Sequence, residues 1–345
     1  MKKKMIKTVC LSIGLAFSLT ACASPEDEII GGRDNENTNQ AFETSEAKVL
    51  DDKSSVIHVD DGRHITATYG ADEYVFQIDA DVVVPQQAIV KGVLELKKID
   101  ISLIEQYLCD GDELVWDNAT TSYISETDTV ENDNLTYDRS FFVTGSDAVF
   151  EDFTKDKYYD SNDRNIGIHM IEEADWTDED KSFIETMADQ ADDLLKQLQL
   201  DTEYSHAWLE TSDNNSYCEV YENVLLESAP MVSKSYGTFI QNCVQIGEYG
   251  IDSIHFSGLY DVNTSENVSN MMSLDDVLKF VQQGVEEKNI NTLKYSVDSI
   301  QLAYMFDENK MTFSPVWCFS ISEPDYGYIP ALCIDAISGE ILLMM

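Results

Sequence analysis

The chain has 345 residues, with 65 acidic against 22 basic side chains and a formal net charge of −43. Such a balance repels nucleic-acid phosphates and anionic lipid headgroups, which excludes both as partners and leaves basic proteins, basic peptides or loosely held divalent ions. The more economical role of the charge is to keep an exposed protein soluble and monomeric, and the length allows one large or two ordinary domains with a real core.

The first residues read MKKKMIKTVCLSIGLAFSLTAC. Lys2, Lys3, Lys4 and Lys7 form a basic start, and Val9 to Leu19 a weakly polar to apolar run. That run falls short of the ~20 residues a spanning helix needs and has the length of a signal-peptide core. It ends in Leu19-Thr20-Ala21-Cys22, which resembles the lipobox of bacterial lipoproteins. The resemblance implies that residues 1–21 are a signal peptide, that cleavage falls before Cys22, and that the Cys22 thiol carries lipid. The protein is then expected on the extracytoplasmic face of the cell membrane, held there by that lipid. Residues 22–53 are acidic, polar and poor in aromatics, the composition of a flexible tether. Beyond Cys10 and Cys22 the cysteines are Cys109, Cys218, Cys243, Cys318 and Cys333, an odd number with no disulfide framework and no metal-ribbon spacing. An exported chain that makes little use of disulfides suits reducing or anaerobic surroundings.

Folded structure is expected from residue 54. Asp61-Gly62 lies between two short β-rich runs and predicts a hairpin. Tyr74, Phe76, Ile78, Ala80, Val82 and Val84 alternate up to Pro85, the pattern of a half-buried strand. Ser102-x-x-Glu105 opens a short helix to about Cys109, with Gly111 as its stop. Residues 117 to 170 read as polar and irregular, with one strand at Ser140 to Val143. Thr177 and Asp180 form a capping box before a helix whose apolar face runs from Phe183 through Ile184, Met187, Ala191 and Leu194 to Leu198. Strands follow at Ser216 to Leu226, Thr238 to Ile246 and Ser253 to Val262.

A last unit begins at Ser273, which caps a helix with Leu274, Val277, Leu278, Val281 and Val285 inward. Ile300, Leu302, Tyr304 and Phe306 alternate in one strand; Phe313, Pro315, Trp317, Phe319 and Ile321 in a second; Ala331 to Ala336 supply a third. Ala336-Ile337-Ser338-Gly339 is then a turn into the final strand, with Asp335 and Glu340 at its ends. The whole predicts an α+β fold of antiparallel sheets, each covered by helices. It divides into a region 54–270 and a C-terminal domain 271–345 with a helix and a three- to four-stranded meander.

The order SLDDVLKFVQ, SIQLAYMF, SPVWCFSI and CIDAISGEILL is similar to PepSY-type domains. With IDADVVVP and NVSNMMSLDD, the wider chain resembles a family of uncharacterised clostridial surface lipoproteins and, more distantly, Yyc-type extracytoplasmic regulators of a sensor kinase. The PepSY likeness implies control of an exported enzyme or sensor through protein contact, although fold alone confers no activity.

Chemistry is harder to locate. The carboxylates are too many for a glycosidase-like pair to stand out. His58, His64, His169, His206 and His255 are scattered. His169-x-x-Glu172 and Glu203-x-x-His206 have helical metal-ligand spacing but no third ligand, which favours solvated or hydrogen-bonded side chains. Ser45-x-x-Lys48 and Ser212-Asp213-Asn214 match two motifs of penicillin-binding enzymes, but the first lies in the tether and the third motif is missing. No catalytic, cofactor or metal residue is assigned; Cys22, for lipid, is the one site. Trp116, Trp176 and Trp208 fall outside the periodic apolar faces, which leaves one of them to line a groove. The expectation is a lipid-anchored binding or regulatory module without catalysis, with a protein partner that basic side chains would suit. The alternatives are a carboxylate-based surface hydrolase acting on glycan or peptidoglycan, and a lipoprotein that captures a peptide or solute.

Pairing about Asp325 and Tyr326 sets Cys318 opposite Cys333, Trp317 opposite Ile334 and Phe319 opposite Leu332. The large residues then face the helix. Cys318, Ser320, Ala331 and Cys333 take the other face, which could pack on preceding residues, and the two thiols are neighbours that stay reduced. For the anchor, Cys22→Ser should yield an uncleaved precursor that takes up no labelled fatty acid; equal labelling of variant and parent would remove the lipid assignment.

Overall fold

The computed structural model describes residues 62–71, 74–118, 120–126, 137–154, 169–171, 173–211, 216–247, 249–290, 296–323 and 327–344. Cys22, the segments expected to be a signal peptide (1–21) and a tether (22–53), the first arm of the hairpin expected at Asp61-Gly62, and residues 324–326 lie outside them. The described residues all fall in one compact unit.

In chain order its elements begin with strands β1 (His64–Ala71), β2 (Tyr74–Val83) and β3 (Val90–Leu96), then helix α1 (Ile101–Leu108). Five strands follow: β4 (Val115–Asp117), β5 (Ser122–Glu126), β6 (Tyr137–Thr144), β7 (Asp147–Asp152) and β8 (His169–Ile171). Helix α2 (Asp178–Gln197) leads to β9 (Thr202–Thr211), β10 (Ser216–Leu226), β11 (Ala229–Ser233), β12 (Gln241–Gly247), β13 (Gly250–Phe256) and β14 (Tyr260–Asn267). Helix α3 (Leu274–Glu286) precedes β15 (Ser296–Asp307), β16 (Thr312–Glu323), β17 (Gly327–Asp335) and β18 (Ile341–Met344).

The fold is mainly β: 55% of the described residues are in strands and 18% are helical. This overturns the expected α+β class with helices covering each sheet. The three expected helices form; α2 packs mainly on β9, β10 and β12, and α3 on β1 and β2 and over the core that holds Trp317. The error lay largely in residues 117–170, whose polar look hid β5, β7 and β8, while β6 contains the strand expected at Ser140 to Val143. Strands with one polar face alternate weakly, and Ser, Thr and Tyr suit that face as well as they suit loops.

Strands β15 and β16 pair antiparallel over nearly their whole length and centre one sheet. β2 and β11 both join β15, and in parallel; β17 and β3 both join β16. β1, β14 and β18 extend it further. The meander expected from 271–345 thus shares a sheet with strands drawn from 64–96 and 229–267. The second sheet is antiparallel throughout, in the order β4-β5-β6-β7-β13-β12-β10-β9-β8. The hairpin of β10 and β11 links the two.

Local chemistry sets the element ends. The Thr177–Asp180 capping box is present as expected, and Ser273 caps α3. For α1 the cap is Asp100 rather than Ser102: its carboxylate accepts from the Ser102 N–H. Gly111, at φ +89°, ends that helix as read. The hairpin of this region closes at Ala71 and Tyr74, between β1 and β2. In the last turn Asp335 does more than flank the bend, since its Oδ1 accepts from Ile337 N, Ser338 N and Ser338 Oγ.

The β16–β17 register is the expected one at its centre, with Trp317↔Ile334, Cys318↔Cys333 and Phe319↔Leu332. Past Phe319 the pairing shifts to Ser320↔Pro330, a bulge that leaves Ala331 extra. Trp317 is buried in the core under α3 and donates its indole N–H to Met272 O at 3.1 Å. Cys318 and Cys333 lie on the other face, packed with Val232, Phe239, Ala303, Met305 and Val316, and their sulfurs are 3.5 Å apart without a bond. The Cys318 contact and burial push the Cys333 thiol well above its ordinary value. Neither thiol should react with iodoacetamide in the native protein at mildly alkaline pH, and both should react once it is unfolded; rapid native labelling of either would contradict this packing.

Candidate functional site

Alternation gives the second sheet two chemically different faces. Ala207, Leu209, Cys218, Val220, Val244, Ile246 and Ile254 point to α1 and α2 and share one core with them. On the opposite face, cross-strand pairing builds two rungs. His206, Tyr221, Cys243 and His255 align in one, and Trp208, Glu219, Gln245, Ser253 and Glu151 in the next. The second rung is tied laterally: Gln245 Nε2 donates to Glu219 Oε1 at 2.7 Å, and Ser253 Oγ to Gln245 Oε1 at 2.6 Å. Tyr221 Oη donates to the other Glu219 oxygen at 2.9 Å, linking the rungs.

Along β9, Ser205 is a bulge residue, since Tyr204 pairs with Glu222 and His206 with Tyr221. This extra residue places Glu203, opposite Asn223, on the same face as His206. The two therefore share a face of a strand rather than of a helix as the spacing suggested. The imidazole of His206 stacks on Tyr221 with centroids 4.5 Å apart and planes 3° from parallel, and Trp208 leans on Tyr221 at 5.3 Å.

The other wall comes from the first sheet. Gly327, at φ +65°, begins β17 against β9, and a Cβ there would meet His206 Nδ1 at 2.8 Å and Ser205 Oγ at 3.0 Å. Only glycine permits both this backbone and this approach. Between the walls lies a cavity of about 230 Å³ lined by His206, Trp208, Tyr221, Thr238, Phe239, Gln241, Tyr328, Ile329 and Pro330. No carboxylate lines it.

The sequence singled out Trp208 as a groove candidate, and it does line this cavity. Trp176 packs partly buried beside α2, and Trp116 is half exposed at a sheet edge against Tyr123. Sequence reasoning missed Tyr221, Gln241 and Tyr328; the alternation of β10 and β12 held a signal for the first two, but nothing local announces Tyr328. His64 bonds Asp79 and Asp81 at the surface, and His255 is exposed. His169 is on β8, while Glu172, His58, the Ser45–Lys48 motif and Ser212–Asn214 lie outside the described residues. Among the described residues no three His, Cys, Asp or Glu side chains gather as a metal shell. Glu210, two residues beyond Trp208, accepts from Tyr217 Oη, and burial raises its carboxyl above the usual range.

No family model matches the chain, and no curated protein does. Among solved structures it is similar to the crystal structure of an uncharacterized protein from Eubacterium rectale ATCC 33656, at 13% identity and a TM-score of 0.49 over 84% of this chain and 98% of that one.

Burial holds His206 down to about 4 from its ordinary 6.5. The unfolded chain therefore binds a proton at this residue, between about pH 6.5 and about pH 4, that the folded chain refuses, so its contribution to stability is lost on acidification through that window. Glu210 and Glu222, both raised by burial, act in the opposite sense. Denaturant melts across this window should show a shallower acid loss for His206→Gln than for the parent. Parallel curves would mean that the imidazole is not buried neutral.

Proposed function

We propose that this protein is a lipid-anchored extracytoplasmic binding module that acts through protein contact, without catalysis of its own. The aromatic-lined cavity carries this reading. Trp and Tyr supply large amphipathic contact area at low entropic cost, and sites built from them dominate protein interfaces energetically. At about 230 Å³ the cavity is smaller than the roughly 300–1,000 Å³ of pockets that enclose free small molecules. It suits one side chain of a larger partner, which disfavours capture of a free solute. The likeness to PepSY-type domains and to clostridial surface lipoproteins points the same way, to control of an exported enzyme or a sensor by contact.

The hydrolase alternative requires an acid pair in one cavity, and this cavity offers none. Glu210 and Glu219 stand on either side of the β9–β10 pairing, but tyrosine hydroxyls already bond both.

A photo-crosslinking amino acid in place of Tyr328, in the anchored protein in its own cell, should trap a discrete protein. Adding Trp208→Ala to that chain should weaken the adduct severalfold. If the position of Tyr328 traps nothing while Tyr107, half exposed on α1, does when carrying the same crosslinker, the contact lies elsewhere and the site is misassigned.

A further inference from the structure

We propose that the cavity receives a cationic side chain, arginine above all, from a basic segment of the protein partner. This rests on the binding role proposed above and names the chemistry that role requires. Three independent features of the site select a cation.

The walls are largely aromatic. Tyr221, Trp208, His206, Tyr328 and Phe239 surround the space, and the negative face of an aromatic ring attracts a desolvated guanidinium or ammonium. A planar guanidinium also stacks on such rings, which a compact ammonium does not. With its imidazole held neutral by burial, His206 adds no competing positive charge.

The polar edge offers acceptors. Gln241 uses both hydrogens of its amide nitrogen, on Ser205 Oγ at 3.0 Å and on Asn223 Oδ1 at 3.0 Å, so it offers its carbonyl oxygen. Tyr221 donates its hydroxyl hydrogen to Glu219, and its oxygen keeps acceptor capacity shared with the neighbouring Cys243 thiol. A ligand rich in donors finds acceptors here, and the hydroxyls of Thr238 and Tyr328 can serve in either role.

The surroundings lean to one sign, and Lys234, in the connection that brings Thr238 and Phe239 to the cavity, is paired with Asp307. The five strands that form or flank the cavity, β9, β10, β12, β13 and β17, contain no lysine and no arginine. Glu219 lies opposite Trp208, and Glu203 lies opposite Asn223 on the neighbouring rung of the same face. These carboxylates flank the aromatic space without entering it, so a cation gains their field while keeping the ring contacts.

The test is an NMR titration of the full-length lipoprotein in detergent. It follows the Trp208 indole N–H, assigned by its loss in Trp208→Phe. Blocked acetyl-Gly-Arg-Gly-amide should shift this signal saturably, while the citrulline tripeptide, equal in shape but uncharged, should bind about tenfold more weakly. Tyr328→Ala, at an exposed position that leaves the fold intact, should weaken the arginine peptide by a similar factor. Equal binding of the citrulline and arginine peptides would overturn the inference. So would an arginine shift indifferent to Tyr328→Ala, which would mark diffuse surface charge, or a larger saturable shift with a methyl glycoside, which would assign the cavity to a sugar ring. If no arginine peptide binds while the crosslink from position 328 persists, the cation assignment falls and the contact site stands; if both fail, the binding role itself is wrong.

Discussion

The structure depends on burial of both faces of one strand pair. Leu302 to Phe306 on β15 and Pro315 to Ile321 on β16 are buried without a break. One face carries Leu302, Tyr304, Phe306, Trp317 and Phe319 into the core beneath α3. The other carries Ala303, Met305, Val316 and Cys318 into a smaller cluster with Val232 and Phe239. Strands apolar on both faces must be covered twice, and no single short C-terminal segment can do that. Their length also leaves backbone groups to be paired at both ends, and distant parts of the chain meet that demand: β2 and β11 along β15, β3 and β17 along β16.

The same arrangement builds the candidate site. β17 enters the first sheet through β16, and its first residue, Gly327, lies against His206 of the second. Tyr328, Ile329 and Pro330 thereby become one wall and the His206–Tyr221–Trp208 group the other. Phe239 contributes to the smaller core and to the cavity alike, so the floor of the site is continuous with the packing that fixes the strand pair. A cavity made in this way is held by packed elements rather than by a loop, which suits a preformed contact site.

Charge is distributed with the same economy. Against so many surface carboxylates, Arg139 is a cation drawn into the interior, where its guanidinium bonds Asp152, Asp112 and the Cys109 carbonyl and ties the end of α1 to β6 and β7. Asp152 is itself buried, so each charge needs the other. Around the cavity no such cation is present on the flanking strands β9, β10, β12, β13 and β17.

The sequence by itself determined the three helices, their caps at Thr177 and Ser273, the inward alternation of β2, β15 and β16, and the face-by-face register that sets Cys318 beside Cys333. Each is encoded within a few residues, by a hydroxyl at a helix start or by period-two hydrophobicity. It also marked Trp208 as a residue without a place in any apolar stripe. The sheet count and the site were decided only by tertiary structure. Polar strands such as Ser122–Glu126 become strands because neighbours supply hydrogen bonds, and nothing in their own pattern requires it. The meeting of Tyr328 with His206 depends on a glycine at residue 327, a bulge at Ser205 and the packing of β17 on β9 across more than a hundred residues. Local propensity is blind to contacts of that separation, since they exist only once the double-faced burial of β15 and β16 has drawn their partners in.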